Sequence, residues 1–283
     1  MRRSPRHPGI PGRLLLTSLP VALLACSLSP VRSPWLERGA SLPAAPADSG
    51  IRVAVWNLHK ETGPLIAKEL RHWSASNQAG FVLLQEFLMV PGDTLLKALD
   101  GRQWAFSANL ASVDSKHKAG VLTASSHACH DMVAMLSEGT EPIARTPKPM
   151  LFLRCAVGRD TLSIVNLHGL NFSPFLEDYR LQLGQVAQRL KGDSRAAIVA
   201  GDFNTWSERK LELTDSVFGS VGLSRLDFGA KAGDIESVFG NPIDHIYYTA
   251  GPLVPDPASL RVDGQFLSSD HRALFAAFRM RRR

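Results

Sequence analysis

Short runs of aliphatic and β-branched residues recur from position 51 onward, and they alternate with stretches of helical periodicity. Runs of four to eight such residues between turn-forming residues are typical of strands, whereas apolar residues three and four apart indicate an amphipathic helix. The spacing predicts helices at 63–73 and 175–190. The runs predict strands at 51–58, 80–85, 120–124, 150–157, 161–167, 196–200, 243–248 and 272–278.

The links between these strands restrict how the strands can pair. Segments 150–157 and 161–167 are joined too closely for a helical crossover, so we expect them to pair antiparallel. Other neighbouring strands are separated by predicted helices, which permits parallel pairing. The sequence therefore predicts an α/β fold in which two mixed sheets pack face to face with helices outside.

The first 26 residues have the composition of an export signal. A basic stretch that ends at Arg13 precedes an apolar run of 12 residues, 14–25, and a membrane-spanning helix needs roughly 20. The run ends in Leu23-Leu24-Ala25-Cys26, which is similar to a bacterial lipoprotein signal in which Cys26 would be acylated. An uncleaved or cytoplasmic leader is the alternative interpretation.

Residues 27–50 are rich in Pro, Ser and Ala and show no apolar period, so they predict a linker between a leader at 1–26 and one domain at 51–280. We expect an exported protein attached to the bacterial cell envelope through Cys26 and facing the periplasm. A secreted or a cytoplasmic protein is the alternative. An oxidising compartment would permit a disulfide between Cys129 and Cys155, although two small buried residues on neighbouring strands fit equally well.

The net charge of +6 is concentrated at the two ends of the chain. Eight arginines lie in the first 25 and the last five residues, so the body between them carries −2. A protein that binds duplex DNA along its backbone would carry a strong basic excess. The charge therefore argues against general duplex binding, while a local basic groove stays open.

Polar residues recur at the carboxyl ends of the predicted strands or directly after them. Each of them has a structural explanation on its own, such as a helix cap or a turn. Their repetition indicates a functional site, because sites collect in the loops at strand ends. The residues are Asn57, Glu86, Asn166, His168, Asp202, Asn204, Asp244, Asp270 and His271.

The chain resembles the endonuclease/exonuclease/phosphatase superfamily of DNase I-like, metal-dependent phosphodiesterases in six motifs that occur in the order of that family. The motifs are Val55-Trp56-Asn57, Leu84-Gln85-Glu86, Val165-Asn166-Leu167-His168, Gly201-Asp202-Phe203-Asn204, Ile243-Asp244-His245-Ile246 and Ser269-Asp270-His271. Segments 168–173 and 201–209 most resemble a little-characterised bacterial branch. The resemblance spans residues 51–278 and implies a four-layer α/β sandwich with the active site at one edge of the two sheets.

The resemblance also implies a metal site. Glu86 would be the principal carboxylate ligand, with Asn57 and Asp270 close by. Hard oxygen ligands of this kind suit Mg²⁺ or Mn²⁺. His59 stands where relatives can carry a second acidic ligand, so the resemblance leaves open whether one or two metals bind.

The remaining motif residues correspond to catalytic positions of the family. His271 would be held by Asp244 through one ring nitrogen. Asp202, aided by Asn204, would orient the attacking water, and His168 would donate to the phosphoryl oxygens. Whether Asp202 or His271 takes the proton stays open.

Four further residues are assigned to substrate contact: Asn166, Arg180, Trp206 and Arg209. A solvated helix start is the alternative for Trp206 and Arg209, and a surface ion pair is the alternative for Arg180. His245 is expected to be part of the wall of the site rather than a catalyst.

We therefore expect a monomeric, metal-dependent hydrolase of phosphodiester or phosphomonoester bonds, acting on nucleic acid or on a phospholipid headgroup. An inositol phosphatase is disfavoured, because Pro242-Ile243-Asp244-His245 stands where those enzymes usually carry Trp-Thr-Asp-Arg. The sequence reveals no aromatic hairpin suited to membrane insertion. The alternative function is a catalytically silent binding or scaffold protein on the same fold, which would be expected to lose acidic or histidine positions that are retained here.

Overall fold

A computed structural model of the protein describes residues 28–39, 50–92, 94–142, 145–171, 176–191 and 196–281. The helices are α1 (Pro64–Ser76), α2 (Thr94–Ala98), α3 (Glu177–Leu190) and α4 (Glu208–Gly219), and a 3-10 helix covers Gly229–Asp234. The strands are β1 (Ser29–Arg38), β2 (Ile51–Asn57), β3 (Phe81–Met89), β4 (Gln103–Ala111), β5 (Lys118–Ser125), β6 (Cys129–Leu136), β7 (Pro149–Val157), β8 (Asp160–His168), β9 (Ala196–Asp202), β10 (Leu223–Arg225), β11 (Ser237–Val238), β12 (Asn241–Pro242), β13 (Asp244–Thr249), β14 (Leu253–Asp263) and β15 (Ala273–Met280).

Thirteen of these strands form two mixed sheets, as the sequence predicts. The seven-stranded sheet has the order β1-β4-β5-β3-β2-β15-β14, and the six-stranded sheet has the order β10-β13-β9-β8-β7-β6. β2 pairs parallel with β3, and β8 pairs parallel with β9. The close link between β7 and β8 makes that pair antiparallel. Strands β11 and β12 form a separate hairpin.

Apolar side chains from both faces of the sheets build three layers of core. Along β2, Val53 and Val55 pack between the two sheets, while Ala54 and Trp56 pack beneath α1. Burial on both faces explains why the strand is a continuous apolar run rather than an alternating one. Helices α3 and α4 cover the outer face of the other sheet. The predicted four-layer sandwich is therefore confirmed.

The segment expected to be a linker contributes the edge strand β1. Its residues pair antiparallel with β4, and Leu36 packs against the core between the sheets. Proline is tolerated at a sheet edge, where its missing N–H faces away from the ladder. The composition that suggests a linker is thus also that of an edge strand. The leader, Cys26 and residues 40–49 lie outside the described residues.

Cys129 and Cys155 are directly opposite each other on β6 and β7 and form a disulfide. The sequence leaves open a disulfide or two small buried residues on neighbouring strands. Both descriptions apply, since the cysteines are buried on adjacent strands and are also bonded. The bond holds the edge strand β6 to the rest of its sheet. Among the described helices, none combines the length and apolar character needed to cross a membrane.

Candidate active site

The strand-end residues meet at one edge of the sandwich, where the two sheets adjoin. Asn57 at the end of β2 donates from Nδ2 to Oδ2 of Asp202 at the end of β9, over 3.0 Å. Asp202 in turn is paired across the sheet with Asp244, the first residue of β13. This single hydrogen bond joins the first sheet to the second directly at the site. These residues therefore meet at the sheet edge where the family resemblance implies an active site.

Gly201 makes this junction possible. It has a φ of 148°, and a Cβ there would lie 1.9 Å from the carbonyl oxygen of Leu167 on the neighbouring strand. Only glycine lets the two backbones approach so closely. The side chain of Asp202 is thereby delivered between the ends of β8 and β13.

His271 lies between two aspartates. Its Nδ1 is 2.8 Å from Oδ2 of Asp244, and its Nε2 is 3.9 Å from Oδ2 of Asp202. The backbone of the histidine is held from the first sheet, because Trp56 donates from Nε1 to the His271 carbonyl over 3.1 Å. The ring is therefore fixed by a carboxylate on one nitrogen, as expected, while the other nitrogen faces Asp202.

His271 and Asp202 have opposite charges at neutral pH. Burial alone would lower the pKa of His271, but the Asp244 carboxylate, the hydrogen bond to it, and the charges of Asp202 and Asp270 outweigh burial and raise the pKa to about 10. Burial raises the pKa of Asp202 to about 6, against the opposing charge of His271 and with the help of Asp244. Near pH 7 the site thus holds an imidazolium beside a carboxylate that is close to its titration range.

Asn204 completes the surroundings of Asp202. Its backbone N–H donates to Oδ1 of Asp202 over 2.9 Å, and its Nδ2 lies 3.3 Å from Oδ2. The same amide donates to the Gly169 carbonyl over 3.0 Å. Asn204 adopts a φ of 52°, which is uncommon for a non-glycine residue and occurs often at functional sites.

His168 lies beside the same carboxylate and close to Glu86. Its Nε2 is 3.6 Å from Oδ2 of Asp202 and 3.8 Å from Oε1 of Glu86. The ammonium of Lys148 is 3.3 Å from the same nitrogen. Burial and the charge of Lys148 hold the pKa of His168 well below its usual range. His168 is therefore neutral at physiological pH and can offer only one N–H.

Glu86 is displayed by a bulge in β3. The register against β5 shifts between Leu84 and Phe87, and Glu86 has a φ of 50°. Lys60 forms an ion pair with Oε2 of this carboxylate. Burial alone would raise the pKa of Glu86, but the positive charges of Lys60 and Lys148 lower it to about 2. The carboxylate is ionised under all physiological conditions.

The three predicted metal ligands are directed toward different partners. Asn57 donates to Asp202, Glu86 is paired with Lys60, and Asp270 lies 3.7 Å from Nε2 of His59 with 60% of its side chain exposed. Within the described part of the chain, the one group of three acidic or histidine side chains with ligand atoms within 4.8 Å of one another is Asp202, Asp244 and His271. That group can also hold a metal ion, because Asp244 engages only Nδ1 of His271 and leaves Nε2 for a ligand bond.

Asn166 does not contact a substrate, and the assignment of this role to it is wrong. The residue is fully buried between the sheets. Its Oδ1 accepts from Nε2 of Gln85 over 2.7 Å, and its Nδ2 donates to the carbonyls of Leu84 and Leu122. A buried amide needs such partners. Asn166 therefore links the two sheets below the site. From sequence alone, a polar residue at a strand end can have either this structural role or a role in substrate contact.

The other predicted substrate contacts are near the surface. Arg180 forms an exposed ion pair with Glu177 in the first turn of α3, which matches the surface alternative rather than a buttress of the site. Trp206 is half-buried and donates from Nε1 to the Asn171 carbonyl over 2.9 Å. Arg209 is exposed on α4. The last two follow the Asp202 loop, and their contact with substrate stays a prediction.

Three lysines lie near the site, and two of them, Lys60 and Lys148, are missed by the sequence analysis. Lys60 and Lys148 contact Glu86 and His168, and Lys148 also pairs with Glu141 over 3.1 Å. Lys210 is buried and donates from Nζ to the carbonyls of Leu170 and Asn171, which fixes the loop after His168. A lysine is usually a surface residue, so its type alone carries little signal. The position of Lys60, three residues after Asn57, is the one available hint.

Two further expectations concern the rim of the site. His245 is buried, lies 2.7 Å from Oγ1 of Thr205, and has a pKa lowered to about 3 by burial, so it is part of the wall as expected. The sequence reveals no aromatic hairpin for membrane insertion, but the structure has a hairpin with an exposed aromatic residue at its turn, and its use at a membrane stays untested. Phe239 is 87% exposed at the turn between β11 and β12. Nδ2 of Asn241 donates to the Trp206 carbonyl over 3.2 Å, which places this hairpin beside the Asp202 loop.

Comparisons with known proteins agree with this architecture. A UPF0294 protein of Vibrio cholerae is 29% identical over 236 residues, which cover 82% of this chain and 79% of that protein. The solved structure of an endonuclease/exonuclease/phosphatase from Bacteroides vulgatus has a TM-score of 0.62 at 15% identity and covers 83% of this chain and 100% of that one. D. rerio TDP2 complexed with single strand DNA product has a TM-score of 0.57 at 19% identity and covers 82% of this chain and 100% of that one.

These structural likenesses lie at identities that establish the fold alone. The sequence match to a family is more specific, because it spans all six motifs around the site. The model of the Endonuclease/Exonuclease/phosphatase family matches residues 54–271. The chain therefore belongs to the Endonuclease/Exonuclease/phosphatase family.

Proposed function

We propose that the protein hydrolyses phosphodiester bonds, with Asp202 orienting the attacking water and the Asp244–His271 pair assisting. The observation that carries this proposal is the position of the His271 ring, with Nδ1 2.8 Å from Asp244 and Nε2 3.9 Å from Asp202. A carboxylate on one ring nitrogen orients the imidazole and stabilises its charged form. The charged ring can then stabilise negative charge on a phosphoryl group.

In this proposal, Asp202 rather than His271 accepts the proton of the attacking water. With a pKa raised to about 6, this carboxylate is ionised at neutral pH and close enough to its titration range to accept a proton from water. His271, which is already protonated, acts as a hydrogen-bond donor. Asn57 and Asn204 hold the aspartate by donating to its two oxygens. His168, neutral and buried, offers its single N–H to a phosphoryl oxygen.

We propose that the activity depends on Mg²⁺ or Mn²⁺ held by Glu86 with help from Asn57 and Asp270. These residues supply hard oxygen donors, and Glu86 is ionised at any physiological pH. The Glu86 carboxylate already carries a cation, the ammonium of Lys60, so the position attracts positive charge. A bound divalent ion would supply stabilisation of the charge that develops on the leaving oxygen.

The proposed substrate is nucleic acid or a phospholipid headgroup, and a different observation supports each. TDP2 of similar fold is complexed with single strand DNA product. Trp206 beside the Asp202 loop offers a surface on which a base can stack. The exposed Phe239 next to it offers an apolar contact for a lipid surface. A phosphomonoester substrate is compatible with the same groups.

We further propose that the protein is an exported monomer attached to the cell envelope through Cys26. The Cys129–Cys155 disulfide supports a location outside the cytoplasm, because such bonds persist in oxidising compartments. Labelled palmitate should enter the wild-type protein and not a Cys26→Ser variant. A secreted protein would take up no label in either form.

The proposed activity is tested by hydrolysis of bis(p-nitrophenyl) phosphate. The purified protein should release nitrophenolate with Mg²⁺ or Mn²⁺ and lose this activity after EDTA treatment. Asp244→Asn should remove most of it, whereas the exposed Asp160→Asn should not. A catalytically silent binding protein would show no turnover with any divalent metal. Full activity after exhaustive chelation would contradict the metal dependence alone.

A further inference from the structure

Lys60 is attached to Glu86 by its backbone as well as by its side chain. The Lys60 N–H donates to the Glu86 carbonyl over 3.1 Å, and the ammonium pairs with Oε2 of the same residue. Only 27% of the Lys60 side chain and 16% of the Glu86 side chain are exposed. The pair is therefore a defined internal contact rather than a transient surface ion pair.

The local backbone holds this arrangement in uncommon conformations. His59 and Lys60 have φ values of 51° and 56°, and Glu86 has a φ of 50°. Left-handed conformations are unfavourable for residues with a Cβ and persist only where the surroundings enforce them. The turn after Asn57 and the bulge in β3 both serve to bring one ammonium to one carboxylate.

A cavity of about 220 Å³ lies next to the pair. Charged and polar side chains that line it are Lys60, Glu86, Asn109, Glu141, Lys148 and His168. Lys60 itself lines this cavity, so the space lies within reach of its side chain. Glu141, which now pairs with Lys148, offers it a second carboxylate there.

We propose that Lys60 is a built-in counter-cation of Glu86 that a divalent metal must displace, and that the displaced ammonium moves into the cavity beside His168, where it serves the phosphate of the substrate. The Lys60 ammonium occupies Oε2 of Glu86, and its repulsion of a divalent ion at the same oxygen makes the two cations compete for that position. Metal binding is therefore an exchange of one cation for another. The inference rests on the proposed function in placing the metal at Glu86 and a substrate phosphate beside His168.

The exchange has a consequence for affinity that can be measured without any substrate. Removing the ammonium leaves Glu86 free for the metal, so Lys60→Met should bind Mn²⁺ about tenfold more tightly than wild type, in line with the strength of a partly buried ion pair. Isothermal titration calorimetry on the purified protein, first stripped of metal, measures this. The matched control is Lys116→Met, which removes an equal charge from a lysine that is 68% exposed at the β4–β5 turn. Its affinity should equal that of wild type.

Thermal unfolding supplies a second readout. Without metal, Lys60→Met should unfold at a lower temperature than wild type, because Glu86 is left buried and unpaired; saturating Mn²⁺ should erase the difference. Lys60→Gln, which keeps a hydrogen-bond donor, should show the same pattern and serves if the methionine variant fails to fold. An affinity equal to that of wild type, or no Mn²⁺ binding by any of the variants, would overturn the proposal. A deficit that persists in saturating Mn²⁺ would identify a merely structural ion pair.

The cation exchange and the proposed hydrolysis can be tested independently of each other. Tighter Mn²⁺ binding by Lys60→Met with no hydrolysis by wild type would support the exchange and reject the activity. If wild type hydrolyses the substrate, Asp244→Asn does not, and Lys60→Met leaves the Mn²⁺ affinity unchanged, the activity would be supported and the cation exchange rejected. In the active protein, Lys60→Met should also lower turnover, since the displaced ammonium is no longer available to the phosphate.

Discussion

At the scale of single residues, ionisation in the site is set by burial together with one close partner for each group. Asp244 keeps His271 protonated, while burial brings Asp202 close to neutral pH. Lys60 keeps Glu86 ionised, and Lys148 helps to keep His168 neutral. The ionisation state of each group therefore follows from its environment, since the same residue types in water would titrate at other pH values.

The Asp244–His271 pair should act as a unit in turnover. Asp244→Asn misorients the imidazole, and by analogy with the dyad of serine proteases we expect a loss on the order of 10³- to 10⁴-fold in kcat. His271→Ala should be comparably damaging, and the double variant should be hardly worse than either single one. Steady-state kinetics on bis(p-nitrophenyl) phosphate measures this, with the exposed His130→Ala as control. Turnover within about threefold of wild type in folded variants would reject the pairing.

Asp202 should lower the stability of the fold at neutral pH. Its pKa is raised in the folded protein, so the charged form is disfavoured by folding above about pH 6, and this penalty disappears below the unfolded value near 3.8. Asp202→Asn should therefore raise the free energy of unfolding at pH 8 by about 1 kcal/mol, after allowance for lost hydrogen bonds. Activity should be lost at the same time. Urea unfolding at pH 8 measures the gain, and a clear destabilisation there would contradict the assigned burial effect.

At the scale of elements, the candidate site residues lie at strand ends and in the adjoining loops, and other elements hold those loops. Lys210 on α4 fixes the loop after β8, and Ser269 fixes the loop before β15 by donating from Oγ to the Asn57 carbonyl over 2.7 Å. The hairpin β11–β12 is tied to the Asp202 loop through Asn241. Hydrogen bonds therefore fix the loops of the candidate site, while the hairpin tip exposes the apolar side chain of Phe239.

The hairpin provides a way to choose between the two substrate classes. Phe239→Ser should leave hydrolysis of the soluble substrate within about twofold of wild type, because the residue touches no catalytic group. If the substrate is a phospholipid headgroup, activity on phosphatidylcholine vesicles should fall about tenfold through loss of one buried apolar side chain. Val113→Ser, an equally exposed apolar residue at the β4–β5 turn, is the control. Equal activity of the Phe239 variant on vesicles would assign the hairpin no role at a lipid surface.

At the scale of the whole molecule, the two sheets are joined by buried polar contacts as well as by apolar packing. Asn166 and Gln85 link the sheets below the site, and Asn57 and Asp202 link them within it. A change of charge at the site should therefore change the free energy of unfolding of the whole domain. Stability should depend on pH through the same groups that perform the proposed chemistry.

The contribution of His271 to stability should be lost at high pH. Its folded pKa is raised from 6.5 to about 10, so the stabilisation is fully present below about pH 6.5 and disappears as the pH rises through 10. The free-energy difference between wild type and His271→Gln should therefore be roughly 2–4 kcal/mol larger at pH 6.5 than at pH 10. The difference is the proper measure, because Lys210, with a pKa lowered to about 7, has the opposite pH dependence in both proteins. Urea unfolding at the two pH values tests this, and an unchanged difference would contradict the ion pair.

The sequence by itself determined the fold class and the order of the motifs. Apolar runs buried on both faces, as in β2, leave a clear strand signal, and the short β7–β8 link allows only antiparallel pairing. Edge strands were not recognised, because β1 carries proline and exposed polar residues and depends on its partner β4 for its structure. The sequence shows Gly201 as part of a motif. The reason that glycine is required there, the close approach of the Leu167 carbonyl on the neighbouring strand, appears only in the folded structure.

Only the tertiary structure decided which polar residues act together. Asn57 and Asn166 both come at or near strand ends, yet one reaches the site and the other is sealed between the sheets. Lys60 and Glu86 lie 26 residues apart in the chain and meet because β2 and β3 run in parallel. Sequence patterns contain information on local periodicity and residue type. The ionisation and contacts of a charged residue depend on neighbours that are brought close to it by the pairing of strands distant in the sequence.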